Sequence, residues 1–188
     1  MIRKSCLTFA AIAASIGVLV ALSSSPASAE LQEGMKAPDF QTEGALGGKP
    51  FVFHLAEALK HGPVVLYFYP KAFTQGCTLE AHAFAAAMDD FRKQGATVLG
   101  LSADDLPTLE SFSTKECSDK FPVAPASAAL ISLYEVPLKM AGVSTGYASR
   151  TTYVITRNDK IALTYTAMDW HEHVPKALAA VQALNAGH

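Results

Sequence analysis

Six consecutive residues, Val64-Val65-Leu66-Tyr67-Phe68-Tyr69, carry neither charge nor polar alternation, and Pro63 and Pro70 bracket them. The run is β-branched and aromatic, and too short to favour a helix. A strand with one wet face alternates apolar and polar residues; a strand covered on both faces does not. This segment therefore predicts a central strand buried on both sides, and hence a sheet with layers packed on each face.

The pattern beyond Pro70 supports that class. From Cys77 to Gln94 the apolar residues Ala83, Phe84, Ala87, Met88 and Phe91 recur at steps of three and four, which predicts an amphipathic helix ended by Gly95. Ala96 to Leu101 reads as a second buried strand. Leu106 to Cys117 reads as a second helix with Asp104 or Asp105 as its N-cap. Residues 128–136 predict a short helix, and 137–148 a glycine-containing loop. Thr151–Thr156 and Ile161–Thr166 predict a hairpin turning at Asn158-Asp159, and His173–Asn185 a last helix. Glu30 to Lys49 reads as an extended arm with turns. Together these elements predict an α/β sandwich with a mixed sheet.

The first 29 residues stand apart. Arg3 and Lys4 precede an uncharged apolar run, Leu7 to Leu22, and the small triplet Ala27-Ser28-Ala29. That layout predicts a signal peptide (residues 1–29) cleaved after Ala29, and a single exported domain over residues 30–188. An exported, periplasmic location is the expectation. The whole chain has 15 Lys+Arg and 17 Asp+Glu. Because the leader holds two of the bases and no acid, the domain carries a net charge of about −4. Nucleic acid is therefore a poor partner, and no second long apolar stretch embeds the domain in a membrane.

Cys77 and Cys117 are the two cysteines of the domain. By count alone an exported pair reads as one structural disulfide. The surroundings of Cys77 read differently. It falls where the buried strand gives way to a helix, in the helix's first turn, where unpaired N–H groups and the helix dipole favour an anion such as a thiolate. Thr74, three residues earlier, reads either as a helix cap or as a hydroxyl facing the sulfur. Pro70 ends the strand or also walls a pocket.

As a set, Pro70, Thr74 and Cys77 complete the pattern P-x-x-x-[T/S]-x-x-C, and here the sequence resembles the peroxiredoxin family. Val65–Pro70 and Gly76-Cys77-Thr78-x-Glu80-Ala81 are similar to its bacterioferritin-comigratory (PrxQ) branch. Gly34-x-x-Ala37-Pro38-x-Phe40 and Arg150–Ile155 extend the resemblance over about residues 31–184. The resemblance implies a thioredoxin-like α/β/α fold with a central mixed sheet. It also implies reduction of hydrogen peroxide or organic hydroperoxides by Cys77, through a sulfenic acid. Thr74 and Arg150 would donate to the peroxide oxygens, and Arg150 would hold the thiolate. Glu80, one turn after Cys77, would orient Arg150 or stand as a solvated helix carboxylate.

One PrxQ subgroup carries a resolving cysteine five residues after the reactive one. That position is His82 here, which leaves Cys117 as the intramolecular candidate. The implied partners are a peroxide and a thiol reductant, either a thioredoxin-like protein or a small thiol, and the resemblance leans towards a monomer. No cofactor is implied. His171 and His173 form no metal site and read as a helix start. A competing reading is a non-enzymatic redox sensor or holdase on the same fold.

Overall fold

The computed structural model describes residues 30–186; the expected leader and its cleavage point at Ala29 lie outside the described residues. In chain order the elements are β1 (Gln41–Leu46), β2 (Lys49–His54), α1 (Leu55–His61), β3 (Val64–Phe68), α2 (Gln75–Lys93), β4 (Thr97–Ser102) and α3 (Leu106–Lys115). There follow β5 (Val123–Pro125), α4 (Ala128–Leu133), β6 (Pro137–Met140), β7 (Val143–Ala148), β8 (Thr151–Ile155), β9 (Ile161–Thr166) and α5 (His173–Ala186). Seven strands form one mixed sheet in the order β2-β1-β5-β4-β3-β8-β9.

β3 lies inside this sheet, parallel to β4 and antiparallel to β8, and every one of its residues is buried. Its side chains divide between two cores. Val65 and Tyr67 pack with Phe84, Met88 and Phe91 of α2, Leu109 and Phe112 of α3, and Val174 and Val181 of α5. Val64, Leu66 and Phe68 pack on the opposite face with Leu55 and Leu59 of α1 and Leu130 and Ile131 of α4. The unbroken apolar run is thus explained by a strand whose two faces each close a core.

Two segments differ from the sequence expectation. The expected arm folds into the β1–β2 hairpin, with Leu46 paired to Lys49 across Gly47 and Gly48, both at positive φ. The expected loop 137–148 contains the β6–β7 hairpin, turned by Ala141 and Gly142. Both turns suit the right-handed twist of their strands. The hairpins escaped notice because their strands are largely exposed, so burial imposes little alternation. The short α1 was also not anticipated. At α3 the cap is Asp105, whose carboxylate accepts from the Thr108 N–H at 3.0 Å.

Gly100 of β4 sits opposite Tyr67 of β3, and the Tyr67 ring lies across it. A Cβ at Gly100 would come within 2.7 Å of that ring, which is itself stacked on Phe84 at 4.3 Å between centroids. Overpacking of this kind costs about 1–3 kcal/mol. Gly100→Ala should therefore lower the unfolding free energy by that amount, read as a lower urea midpoint at an unchanged m-value; an unchanged midpoint would show that the ring moves aside freely.

Candidate active site

Strand register brings the site together. Phe68, the last residue of β3, pairs with Thr151, the first residue of β8. Arg150, immediately before β8, therefore stands where the chain leaves β3 for the loop to α2. Asp104 braces that loop: its carboxylate accepts from the Ala72 N–H at 2.7 Å and from the Ser102 hydroxyl at 2.8 Å. Asp104 is thus not a helix cap but a tie between the end of β4 and the loop. Phe73 in the same loop adopts φ 61, an uncommon left-handed conformation for a bulky residue.

Cys77 is the third residue of α2 and is 1% exposed. The Arg150 guanidinium donates from Nη2 to its sulfur at 3.4 Å. A Cβ at residue 76 would stand 3.2 Å from that same Nη2, so Gly76 leaves the space in which the arginine meets the thiol. Glu80, one turn on, faces the same side of α2 and forms an ion pair with Arg150 through Nη1 and Oε2. The third donor, Nε, is taken by the Met168 carbonyl at 3.0 Å. Burial opposes the Arg150 charge, but Glu80 and Cys77 outweigh it and hold the guanidinium protonated.

The remaining expected residues fall as follows. Thr74 is at the N-cap position, yet its side chain makes no capping bond. Its hydroxyl donates to the Lys71 carbonyl at 2.9 Å, so its proton is committed and only its lone pairs remain available. Pro70 is half-buried at the start of the loop. Cys117 lies just past α3, is fully buried, and is unbonded to Cys77. Burial, with Glu116 and Asp119 adding, pushes its thiol well above the ordinary value. His82 pairs with Glu116 at 2.8 Å, joining α2 to the residue before Cys117.

His173 does start α5, but the sequence reading missed its connection to the site. Its ring is completely buried, with Nδ1 bonded to the Thr152 hydroxyl at 2.7 Å and Nε2 to the Ala167 carbonyl at 2.9 Å. Nδ1 also lies 3.8 Å from Glu80 Oε1, which has no hydrogen-bond partner. A periodic helix reading cannot flag such a residue, since its partners come from β8 and a loop.

Residues 34–164 match the AhpC/TSA family. The chain is 35% identical over 124 residues to bcp of Helicobacter pylori, covering 66% of this chain and 72% of that protein. It is 31% identical over 157 residues to the chloroplastic peroxiredoxin Q of Suaeda salsa, covering 83% and 70%. The crystal structure of BcpB from Mycobacterium tuberculosis superposes with a TM-score of 0.73 at 28% identity, covering 82% of this chain and 98% of that one.

The buried groups also set the pH dependence of stability. Burial pushes the Glu80 carboxyl up to about 7 against the pull of Arg150, and pushes His173 down to about 4. Between pH 4.5 and 7 the fold keeps a proton on Glu80 that the unfolded chain releases, so stability falls as pH rises. Between pH 4 and 6.5 the unfolded chain binds a proton on His173 that the fold refuses, so stability rises with pH. The two slopes oppose each other where they overlap. Glu80→Gln removes the falling one. Its unfolding free energy should climb by about 3 kcal/mol from pH 4 to 6.5, against a flatter wild-type curve. Parallel curves for the two proteins, measured by urea titration, would refute this account.

Proposed function

The chain belongs to the AhpC/TSA family of thiol-dependent peroxidases, and from that membership we propose that Cys77 is the residue oxidised by peroxide. The observation that carries this reading is the contact between Arg150 and the Cys77 sulfur at the N-terminus of α2, with Glu80 paired behind the arginine. A thiolate there is the nucleophile. It attacks the terminal oxygen of HO–OR, the O–O bond breaks, Cys77 becomes the sulfenic acid S–OH, and RO⁻ leaves to take a proton from water. Arg150 already points a charged donor at the sulfur, and the same donor stabilises charge on the breaking O–O bond. Thr74, whose proton goes to Lys71, accepts the peroxide O–H and so orients it.

Recycling on this reading uses Cys117. Its thiol condenses with the Cys77 sulfenic acid to give a disulfide and water, and two electrons from a thioredoxin-like protein or a small thiol restore both cysteines. A direct bond needs Cα atoms within about 7 Å. The buried, protonated Cys117 must first be released, by unwinding the first turn of α2 and the last turn of α3, whose terminal hydrogen bonds open most readily. The domain acts as a monomer after export to the periplasm. The basic start, apolar run and Ala-Ser-Ala triplet support the export, and N-terminal sequencing of the secreted protein beginning at Glu30 would test it.

The function is tested by peroxide consumption with a dithiol reductant. Cys77→Ser should abolish it. Arg150→Met should slow the reaction of the reduced protein with peroxide by about tenfold or more, since one lost charge-assisted donor is worth at least about 1.4 kcal/mol. One equivalent of peroxide should yield a linked peptide pair containing Cys77 and Cys117. A Cys77 sulfenic or sulfinic acid beside a free Cys117 would instead make the protein a one-cysteine peroxidase resolved by an external thiol. Single-equivalent oxidation without turnover would favour a redox sensor.

A further inference from the structure

The Arg150 guanidinium is held at its far end by a short strap, Ala167-Met168, that follows β9. The Ala167 N–H donates to the Arg150 carbonyl at 3.2 Å, and the Met168 carbonyl accepts from Arg150 Nε at 3.0 Å. The remaining polar group of Ala167, its carbonyl, is bonded to His173 Nε2 at 2.9 Å. A carbonyl can only accept, so Nε2 carries the proton. Nδ1 of a neutral ring is then a lone pair, and it accepts from the Thr152 hydroxyl at 2.7 Å. The Tyr165 ring meets the imidazole edge-on at 4.7 Å and closes a further side. Every ring position is thereby specified, and burial keeps the ring uncharged.

This tautomer has a consequence for Glu80. Nδ1, whose lone pair is taken by the Thr152 hydroxyl, lies 3.8 Å from Oε1, acceptor beside acceptor, and Oε1 has no hydrogen-bond partner. A doubly protonated ring, or one with its tautomer reversed, would offer Nδ1–H to that oxygen and compete with Arg150 for the carboxylate. The charged and titratable groups around the imidazole are Glu80 of α2, Arg150 before β8 and Asp169 of the strap loop. Of these, Glu80 and Arg150 are the two that meet at the thiol.

We propose that His173 is a positioning residue for the peroxide step: as the neutral Nε2–H tautomer it fixes the Ala167-Met168 strap, and through the strap it fixes the guanidinium of Arg150 against Cys77. Nothing in the step itself touches His173. Its effect passes through Arg150, and the inference rests on the peroxidase reading above.

Two polar substitutions separate this role from general packing. His173→Gln places an amide N–H near the position of Nε2 and keeps the donor to Ala167. His173→Asn reaches only as far as Nδ1, keeps the acceptor for Thr152 and loses the Ala167 bond. The second-order rate of Cys77 oxidation by hydrogen peroxide, measured on the reduced full-length domain, should fall about tenfold or more in the asparagine variant. It should stay within about threefold of wild type in the glutamine variant. In the Arg150→Met background, His173→Asn should cause no further loss, because residues that act as one unit do not add. A tenfold loss with glutamine overturns the proposal, as does a folded asparagine variant at the wild-type rate. Effects of His173→Asn and Arg150→Met that multiply also overturn it. A wild-type protein that fails to react with peroxide, or an Arg150→Met variant that reacts normally, would instead overturn the peroxidase reading.

Discussion

A buried cation organises this site. Arg150 is 4% exposed, and removing a guanidinium from water is costly unless its donors are filled by well-placed acceptors. The fold supplies one for each part of the group: Glu80 for Nη1, the Cys77 sulfur for Nη2 and the Met168 carbonyl for Nε. Those three acceptors come from one helix and one loop, so the positions of α2, β8 and the strap after β9 are all constrained by a single side chain. Gly76 belongs to the same constraint, because any larger residue would crowd Nη2.

An ion pair of this kind contributes little net stability, since desolvation of both charges offsets their attraction. Its value here is geometric. Once ionised, above about pH 7, Glu80 balances the arginine's charge on one side, and Nη2 stays directed at the sulfur on the other. The neutral imidazole of His173, packed behind Glu80, adds no competing donor to the carboxylate. The site is therefore a buried sequence of neighbouring groups: thiol, guanidinium, carboxylate, imidazole. Preorganisation of this sort matters for a reaction in which charge moves across the breaking bond, because donors already in place need not reorganise.

Much of this was legible in the sequence because it is local. The all-apolar run of β3 required a buried strand, and Pro70, Thr74 and Cys77 are tied to its end by fixed spacing. Glu80 could be placed beside Cys77 by helix periodicity alone. Arg150 could be placed only by resemblance, since 73 residues separate it from Cys77 and the antiparallel pairing of β3 with β8 is a tertiary fact. His173 was illegible for the same reason in stronger form. Its role depends on a tautomer, on a hydroxyl from β8 and on two backbone carbonyls, and carbonyls leave no trace in side-chain identity. Thr74 shows the converse limit: it stands at the N-cap position, yet its hydroxyl accepts no helix N–H and bonds the Lys71 carbonyl instead. The β1–β2 and β6–β7 hairpins were missed where exposure removes the alternation that marks a strand.

On the proposed reading, the chemistry that oxidises Cys77 also loosens what holds it. Before reaction, the first turn of α2 is anchored to Arg150 by a charged donor on sulfur. On that reading the thiolate gives way to a neutral sulfenic acid, so the attraction of opposite charges between sulfur and guanidinium is lost as the S–O bond forms, and the first turn is held less tightly. Cys117 is held by independent restraints: the His82–Glu116 pair, and the Arg92 guanidinium donating to the Lys120 carbonyl at 2.6 Å. Ser118 and Asp119, immediately after Cys117, both adopt positive φ (51 and 56) and are non-glycine, a strained pair that favours release. Neither restraint involves a fully buried group, whereas Arg150 and Glu80 are buried. On the proposed route the order of events follows from this difference: oxidation frees the helix that was locked, and Cys117 leaves the core as the turn after α3, tied partly by surface groups, opens.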